Sequence, residues 1–339
     1  MISEPTYLAA RIVAPEIQAH FLRGGTCIMP ESFVIEALID SAFWASLRHE
    51  EGYTPKISLA YLPPEADEQH LIFKQAQRLT PHRLVKLSPA ALEPGIHLGV
   101  WHDGDNLVIW GTTHNVPAYC LVIEVIEAGL LVVKQKSDFL SSKYINLAVL
   151  KGNNIKLIDD AFAWLIPAFS GEDSRILLDL SLAMRQHGRG ALMLIVPADT
   201  HSWQNSIVQP MNYVLDPPYP LNPGSEKAIH AVGGFSAIDG ATIITSDYQL
   251  LAFGAKVARS DSGIPVSKIM LSEPVKNNEV KIVDTSKLGG TRHLAAAQFV
   301  SDQHKAMAMV ASQDGQFTLF LWSDKLQIVH AQRIESLLL

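Results

Sequence analysis

Cysteine is scarce: Cys27 and Cys120 are the only two in the chain. Two thiols among 339 residues cannot supply a disulfide framework. A packed core must therefore hold the fold, and a reducing, cytoplasmic setting fits best. The sequence leaves a single disulfide open, although Cys120 lies in an apolar run and reads as a buried free thiol. Positive charge is also short, with 27 Lys and Arg against 34 Asp and Glu and a net charge of −7. A general nucleic-acid surface needs a basic stripe, so no nucleic-acid partner is expected. An anionic nucleotide is still compatible, because it needs positive charge only locally.

Long hydrophobic runs are missing as well. The stretch from Tyr119 to Val133 is interrupted by Glu124, Glu127 and Gly129, and reads as two strands and a turn rather than a membrane span. Met1-Ile2-Ser3-Glu4-Pro5 has neither a basic nor an apolar leader region, so no signal peptide is expected. There is no repeat of fixed period and no low-complexity segment. The phosphate loop Gly-x4-Gly-Lys-Ser/Thr, the Gly-x-Ser-x-Gly elbow, His-Glu-x-x-His and Cys-x-x-Cys are all absent. Most other ATP-using and hydrolytic chemistries thereby lose their support.

What is present is an ordinary globular composition, 48% apolar and 18% charged. The length suggests about two domains. Pro30-Glu31-Ser32 can start a helix through Phe33, Ile35, Leu38, Ile39 and Phe43, whose spacing suits one apolar face. The rest of residues 1–50 mixes short apolar runs with breakers. From Ile57 onward the pattern is β-rich. Gly99–Trp101 and Leu107–Trp110 flank an Asp103-Gly104-Asp105-Asn106 turn. Leu121–Ile126 pairs with Leu130–Val133, and Tyr144–Leu150 with Ile155–Ile158. His102 and His114 lack the spacing of metal ligands. Residues 159–170 read as a joint, with Ser170 or Asp173 capping a helix through Ile176, Leu177, Leu180 and Met184 that ends at His187-Gly188. A buried strand, Ala191–Val196, follows. Pro210 to Pro223 reads as an ordered loop. Ser225 then caps a helix that ends at Gly233-Gly234.

Two stretches carry chemistry. In Ala237-Ile238-Asp239-Gly240-Ala241-Thr242-Ile243-Ile244, a turn delivers an acid onto the start of a buried strand. In Gly289-Gly290-Thr291-Arg292-His293-Leu294, a Gly-rich turn puts a hydroxyl, a guanidinium and an imidazole at a helix N-terminus. Backbone N–H groups and positive charge suit a phosphate tail, and a carboxylate suits its cation. Asp-Gly-Ala alone is a common turn tripeptide. Its place between a helix and an apolar strand, with Gly-Thr-Arg-His downstream, gives it weight. Residues 258–288 form a long connection containing Ile269–Leu271 and Val280–Val283, and read as an added strand or lid.

In this order, Asp239-Gly240-Ala241 and Gly290-Thr291-Arg292-His293 resemble the nucleotide-binding motifs of the diadenylate cyclase family, which condenses two ATP into cyclic di-AMP and two pyrophosphates. The likeness spans about residues 160–322, beginning near Gly190-Ala191-Leu192. It implies an α/β domain over 161–339 with a mixed central sheet between helices. It also implies Asp239, Arg292 and His293 as the catalytic set. Gly240, Ala241, Gly290, Thr291, Arg292, His293 and Ser312 would bind ATP, with Val257 against the adenine. Asp239 and Asp314 would hold Mg2+ or Mn2+, Asp239 also activating the attacking ribose hydroxyl. Gly240 would let backbone approach the ribose without a Cβ in the way. Catalysis would need at least a homodimer, since each protomer holds one ATP. Three positions depart from the family pattern: Leu294 stands for its second Arg, Gln313 for a carboxylate and Ile238 for a frequent His. Residues 1–160, through His82–Leu87, Leu98–Trp101 and Ile109–Gly111, resemble the α+β probable sensor domain of the DACNV type that precedes some of these enzymes. Regulation of the cyclase by that domain is the implied function. The alternative is a nucleotide-binding sensor that keeps the pocket without turnover.

Overall fold

Two β-sheets, each with its own core, organise the chain in a computed structural model that describes residues 5–24, 28–49, 55–66, 70–136, 144–159, 174–222 and 224–339. Contacts divide it into two compact units, residues 1–159 with Leu339 and residues 160–338. The mixed α/β class expected from the sequence is borne out. Cys27 and the expected joint with its helix caps, Ser170 and Asp173, lie outside the described residues.

The first unit begins with helices α1 (Leu8–Gly24) and α2 (Ser32–Ser46), with a short α3 (Pro81–Leu87) following later. Its strands are β1 (Ser58–Tyr61), β2 (His70–Arg78), β3 (His97–Asp103), β4 (Asn106–Thr113), β5 (Leu121–Glu127), β6 (Leu130–Lys136), β7 (Tyr144–Lys151) and β8 (Asn154–Leu157). They form one sheet in the order β2-β4-β3-β1-β5-β6-β7-β8, with only β1 and β3 parallel. Alternation along each strand sends Leu59, Leu98, Ile123 and Val133 to the core that α2 covers with Val34, Ile35, Leu38 and Ile39. Ser58, His97, Glu124 and Lys134, at the alternate positions, therefore face the other side.

α1 was hidden from the sequence reading by Pro15, which lies inside the helix. An interior proline costs about 3 kcal/mol or more. Val13, Ile17 and Phe21 nevertheless lie on one fully buried face, and burying each such side chain contributes roughly 1.5–3 kcal/mol. Packing therefore outweighs the breaker.

The second unit sets a nine-stranded sheet between helices. Its helices are α4 (Ser174–Gln186), α5 (Glu226–Phe235) and α6 (Thr291–Asp302). The strands are β9 (Ala191–Val196), β10 (Tyr213–Pro220), β11 (Ala241–Thr245), β12 (Gln249–Ala255), β13 (Lys268–Ser272), β14 (Lys281–Asp284), β15 (Met307–Ala311), β16 (Phe317–Ser323) and β17 (Ile328–Arg333). The order is β10-β12-β11-β9-β15-β16-β17-β13-β14. β9 is an interior strand, fourth in that order, and every residue in it is buried. Ala191, Met193 and Ile195 pack under α4 and α5. Leu192, Leu194 and Val196 pack under α6. A strand covered on both faces needs an unbroken apolar run, and Ala191–Val196 is one.

Three expectations are corrected. The Pro-rich stretch is not a loop: Tyr213–Pro220 forms β10 at the sheet edge, paired only with β12. An edge strand tolerates proline because one side of its backbone needs no ladder partner. Gly233-Gly234 does not end α5, which runs on to Phe235. A Cβ at Gly233 would lie 2.7 Å from that of Ala183, so this glycine lets α5 approach α4 closely. Ser225 is the N-cap of α5 by position, but its side chain makes no capping bond. The long 258–288 connection does add strands, β13 parallel to β17 and β14 beyond it.

Burial makes both units acid-sensitive. His97 is held down to about 4 chiefly by burial, and so is His330. An unfolded chain carries these imidazoles near 6.5, so between 6.5 and 4 it binds more protons than the native state. Their contribution to stability is therefore complete above pH 6.5 and is lost as the pH falls toward 4. Urea unfolding followed at pH 7.5 and pH 5 should show a clear drop in midpoint at pH 5. An unchanged midpoint would contradict the burial of both rings.

Candidate functional site

Strand register brings the two chemical stretches to one sheet edge. β11 runs parallel to β9 with Thr242 opposite Met193. β15 runs antiparallel to β9 with Ala311 opposite Ala191. The residues just before β9 (Gly190), just before β11 (Asp239 and Gly240) and just after β15 (Ser312) therefore share the same end of three adjacent strands. The N-terminus of α6 meets that end. A Cβ at Gly190 would lie 2.6 Å from Arg292 Nη1, so the guanidinium rests on bare backbone. A cleft of about 180 Å³ is lined by Gly190, Gly290 to His293, and Ser312 with Gln313.

Gly290 is the N-cap of α6 and contributes no side chain. The His293 and Leu294 N–H groups turn back to the Gly290 carbonyl at 3.1 and 3.4 Å. That leaves the N–H groups of Thr291 and Arg292 as the helix's unused donors among the described residues. A helix N-terminus with free donors, a hydroxyl and a guanidinium is an anion site. Leu294, one residue further on, is 42% exposed and points no charge at the cleft.

His293 is the inward member of the trio. Its ring lies edge-on to Phe320, and its Nε2 is buried with no hydrogen-bond partner among the described residues. Burial first, then the charge of Arg333, holds its pKa below the ordinary value, while Asp314 pulls the other way. The ring is therefore neutral near pH 7 and acts as a hydrogen-bonding group, not as a cation.

Asp239 is fully accessible, with its side chain 92% exposed. Lys256 Nζ sits 2.6 Å from its Oδ2. The hydrogen bond from Lys256 and then its charge hold the carboxyl below the usual carboxylate range, with a smaller push from Arg292. Asp239 thus belongs to the electrostatic neighbourhood of Arg292. Asp314 sits on the turn after β15. It accepts from the Gln316 N–H at 3.3 Å, and a bond from Ser312 is the main cause of its lowered pKa, with His293 adding to it.

Gly240 has φ +121°, and a Cβ there would come within 2.5 Å of the Gly254 carbonyl carbon. The missing Cβ makes room for the backbone of β12. The Ala241 side chain is fully buried in the core under α6, so only its backbone can face a ligand. Val257 lies beyond β12 in an isolated antiparallel bridge to Ile207. The bridge uses the Val208 N–H to Lys256 and the Ala258 N–H to Ser206. In that pattern the N–H and C=O of Val257 itself point away from Ile207. Neither Asp239 nor Val257 lines the small cleft.

Sequence reasoning gave no role to Lys256, the partner of Asp239. The β11–β12 hairpin, in which Ala241 pairs with Ala255, is what brings the two together. Sequence reasoning also gave no role to Tyr213, whose ring stacks on Phe253 and lies against Gly254.

For a metal, the donor set is thin. Among the described residues no group of three or more His, Cys, Asp or Glu can hold an ion. Mg2+ does not need one, since it keeps waters and is commonly bound by one or two carboxylates plus substrate phosphates. Asp239 fits that use, being exposed, ionised and already attractive to a cation.

Residues 26–114 match the family model of the probable sensor domain DACNV, so the expected likeness of the N-terminal region is borne out. A hypothetical membrane spanning protein from Bacillus cereus is 17% identical, over 50% of this chain and 66% of that one, with a TM-score of 0.30. A double mutant of DacA from Staphylococcus aureus is 20% identical, over 43% of this chain and 79% of that one, with a TM-score of 0.26. No curated protein matches the sequence. No helix among the described residues is long and apolar enough to cross a membrane.

Gly190→Ala should displace the Arg292 guanidinium, a flexible end, and keep the fold. Calorimetric binding of tripolyphosphate should weaken at least tenfold with an unchanged circular dichroism spectrum. Undiminished binding would contradict the placing of Arg292. Gly240→Ala, by contrast, strains backbone against backbone, at about 1–3 kcal/mol or more. It should lower the melting temperature, and an unchanged one would contradict the packing of β11 on β12.

Proposed function

We propose that the second unit is a diadenylate cyclase domain that condenses two ATP into cyclic di-AMP and two pyrophosphates. The observation that carries this is the meeting of Gly190, the α6 N-terminus and Ser312 in one cleft, with Asp239 in the field of Arg292. The family motifs, some fifty residues apart in the chain, thus share one sheet edge.

In this reading the Thr291 and Arg292 N–H groups, the Arg292 guanidinium and the Ser312 hydroxyl hold the triphosphate. Neutral His293 offers its unpartnered Nε2 if its ring turns toward the phosphates. Val257 presents a free peptide edge to the adenine. Asp239, now paired with Lys256, would hold the divalent cation, Mg2+ or Mn2+, with Asp314 as the second candidate ligand. The cation supplies charge neutralisation at the phosphates. Asp239 also orients the ribose 3′-hydroxyl, whose oxygen attacks the α-phosphorus of the other nucleotide. One P–O bond forms, the bond to pyrophosphate breaks, and the hydroxyl proton leaves to solvent or to the departing pyrophosphate. Catalysis is then mainly positioning and charge neutralisation. The cleft of about 180 Å³ is the phosphate end of the site in this reading. Because each protomer would hold one ATP, two protomers would face each other for the reaction, and the first unit would regulate that meeting.

A second reading, a nucleotide-binding sensor without turnover, is favoured by exposed Leu294 where the family has a guanidinium and by Lys256 on the acid. Both readings predict ATP binding. Incubation of the full chain with ATP and Mn2+ or Mg2+, followed by mass spectrometry, separates them. We expect cyclic di-AMP, its loss by at least a hundredfold in Asp239→Asn with the fold kept, and a faster reaction in Leu294→Arg. ATP binding with no product from either the native chain or Leu294→Arg would favour the sensor. Turnover unchanged in Asp239→Asn would refute the role of the acid.

A further inference from the structure

The first unit holds a cavity of about 590 Å³ on the sheet face opposite α2. That volume lies within the range of small-molecule sites. Its walls are apolar at Leu92, Ile96 and Ile126. Its floor is polar, and the polar groups are bonded to one another.

Register explains the floor. Ser58 lies opposite Glu124, and Lys134 sits opposite Val122, one diagonal step from Glu124. Lys134 Nζ and Glu124 Oε2 are 2.6 Å apart, with side chains only 11% and 23% exposed. Beside them runs a second linkage. Ser58 Oγ bonds His97 Nδ1 at 2.7 Å, and His97 Nε2 bonds the Tyr144 hydroxyl at 2.8 Å. Ser58 and Tyr144 line the cavity, while the imidazole between them is fully buried.

A neutral imidazole has one donor and one acceptor nitrogen. One hydroxyl must therefore donate to the ring, and the other must accept from it. The hydroxyl that accepts keeps its own O–H for the cavity, and the one that donates keeps its lone pairs. Either tautomer leaves one donor and one acceptor facing the space. Lys134 and Glu124 repeat that pairing with charge. Lys56 and Glu93 add one more charge of each sign to the lining. Lys136 lies 4.8 Å over the Tyr144 ring, outside the lining. A lone anion in this cavity would meet Glu124 and Glu93, and a lone cation would meet Lys134 and Lys56. A desolvated ion pair is costly unless its remaining hydrogen-bonding capacity is filled. A ligand bearing both charges fills it on both sides.

We propose that this cavity binds a small zwitterion, an amino acid with a large apolar side chain. Its carboxylate meets Lys134 and the Tyr144 side of the relay. Its ammonium meets Glu124 and the Ser58 side. Its side chain lies against Leu92, Ile96 and Ile126. Residues 26–114, which match a probable sensor domain, contribute Ser58, His97 and the Leu92–Ile96 wall. Glu124, Lys134 and Tyr144 come from beyond that match.

The test uses the full chain, with calorimetry and thermal shift against leucine, phenylalanine and tryptophan. Their amides and N-acetyl forms, a dicarboxylate, a polyamine and a nucleoside are the controls. We expect at least one free amino acid to bind, and each blocked form to bind at least tenfold more weakly. The double variant Glu124→Gln/Lys134→Gln keeps the volume and removes both charges; it should lose at least tenfold. Leu92 is 54% exposed, so Leu92→Trp fills the mouth without touching the core and should also abolish binding, with circular dichroism confirming the fold. Equal binding of the blocked forms, preference for any of the other controls, or no binding by the three amino acids would overturn the proposal. None of these outcomes bears on the ATP chemistry proposed for the second unit, which uses other residues.

Discussion

The pairing of β9 with β11 on one side and β15 on the other is the constraint on which the candidate site depends. Each of these strands is nearly featureless by itself. β9 is a short apolar run, buried on both faces, whose role is to be invisible to solvent. Its register is what has chemical consequence. A one-residue slip would turn Met193 and Leu194 to the wrong cores and would also carry Gly190 away from Arg292. The packing of helices on both faces thus fixes the sheet edge to within a residue. The edge in turn aligns an acid, a bare glycine and a serine turn beneath a helix N-terminus.

Charge in that region is sparse and local, which suits a chain of net −7. A guanidinium, a lysine and unused helix N–H groups gather against one sheet end, and the acids there are held ionised by their neighbours. Lys256 on Asp239 gives the acid a partner until a better one arrives. Arg292, by contrast, rests on Gly190 with nothing between it and the cleft. The first unit handles polarity differently. Beneath its cavity, Glu124 with Lys134 and Ser58 with His97 and Tyr144 are mutually bonded, as an interior of low dielectric demands.

Much of this was legible before any coordinates. β9 and β11 announce themselves as apolar runs bounded by Gly and by Asp-Gly. α6 follows from a Gly-Gly turn into an alanine-rich stretch, and the hairpins of the first unit from their turns. The rest needed tertiary information. Pro15 and the prolines of β10 argue locally against structure, and only burial of the α1 face and an edge position in the sheet overrule them. Gly233 looked like a helix end because its real partner, Ala183, is fifty residues away in sequence. The contact of Gly240 with the backbone of Gly254 was not visible in the sequence, because it runs across the β11–β12 pairing. Lys256 was readable in principle. The register between β11 and β12 shifts twice, however, and a count through two bulges does not return a unique neighbour.

The central claim is that Asp239 and Arg292 serve one ligand together. A double-mutant cycle on ATP affinity, measured with the native chain, Asp239→Asn, Arg292→Gln and the double variant in the presence of Mn2+, addresses it directly. Residues that share a ligand or a network couple by about 0.5–3 kcal/mol, and a coupling in that range is the result this account predicts. Strict additivity, within about 0.3 kcal/mol, would place the two groups in separate sites and contradict it.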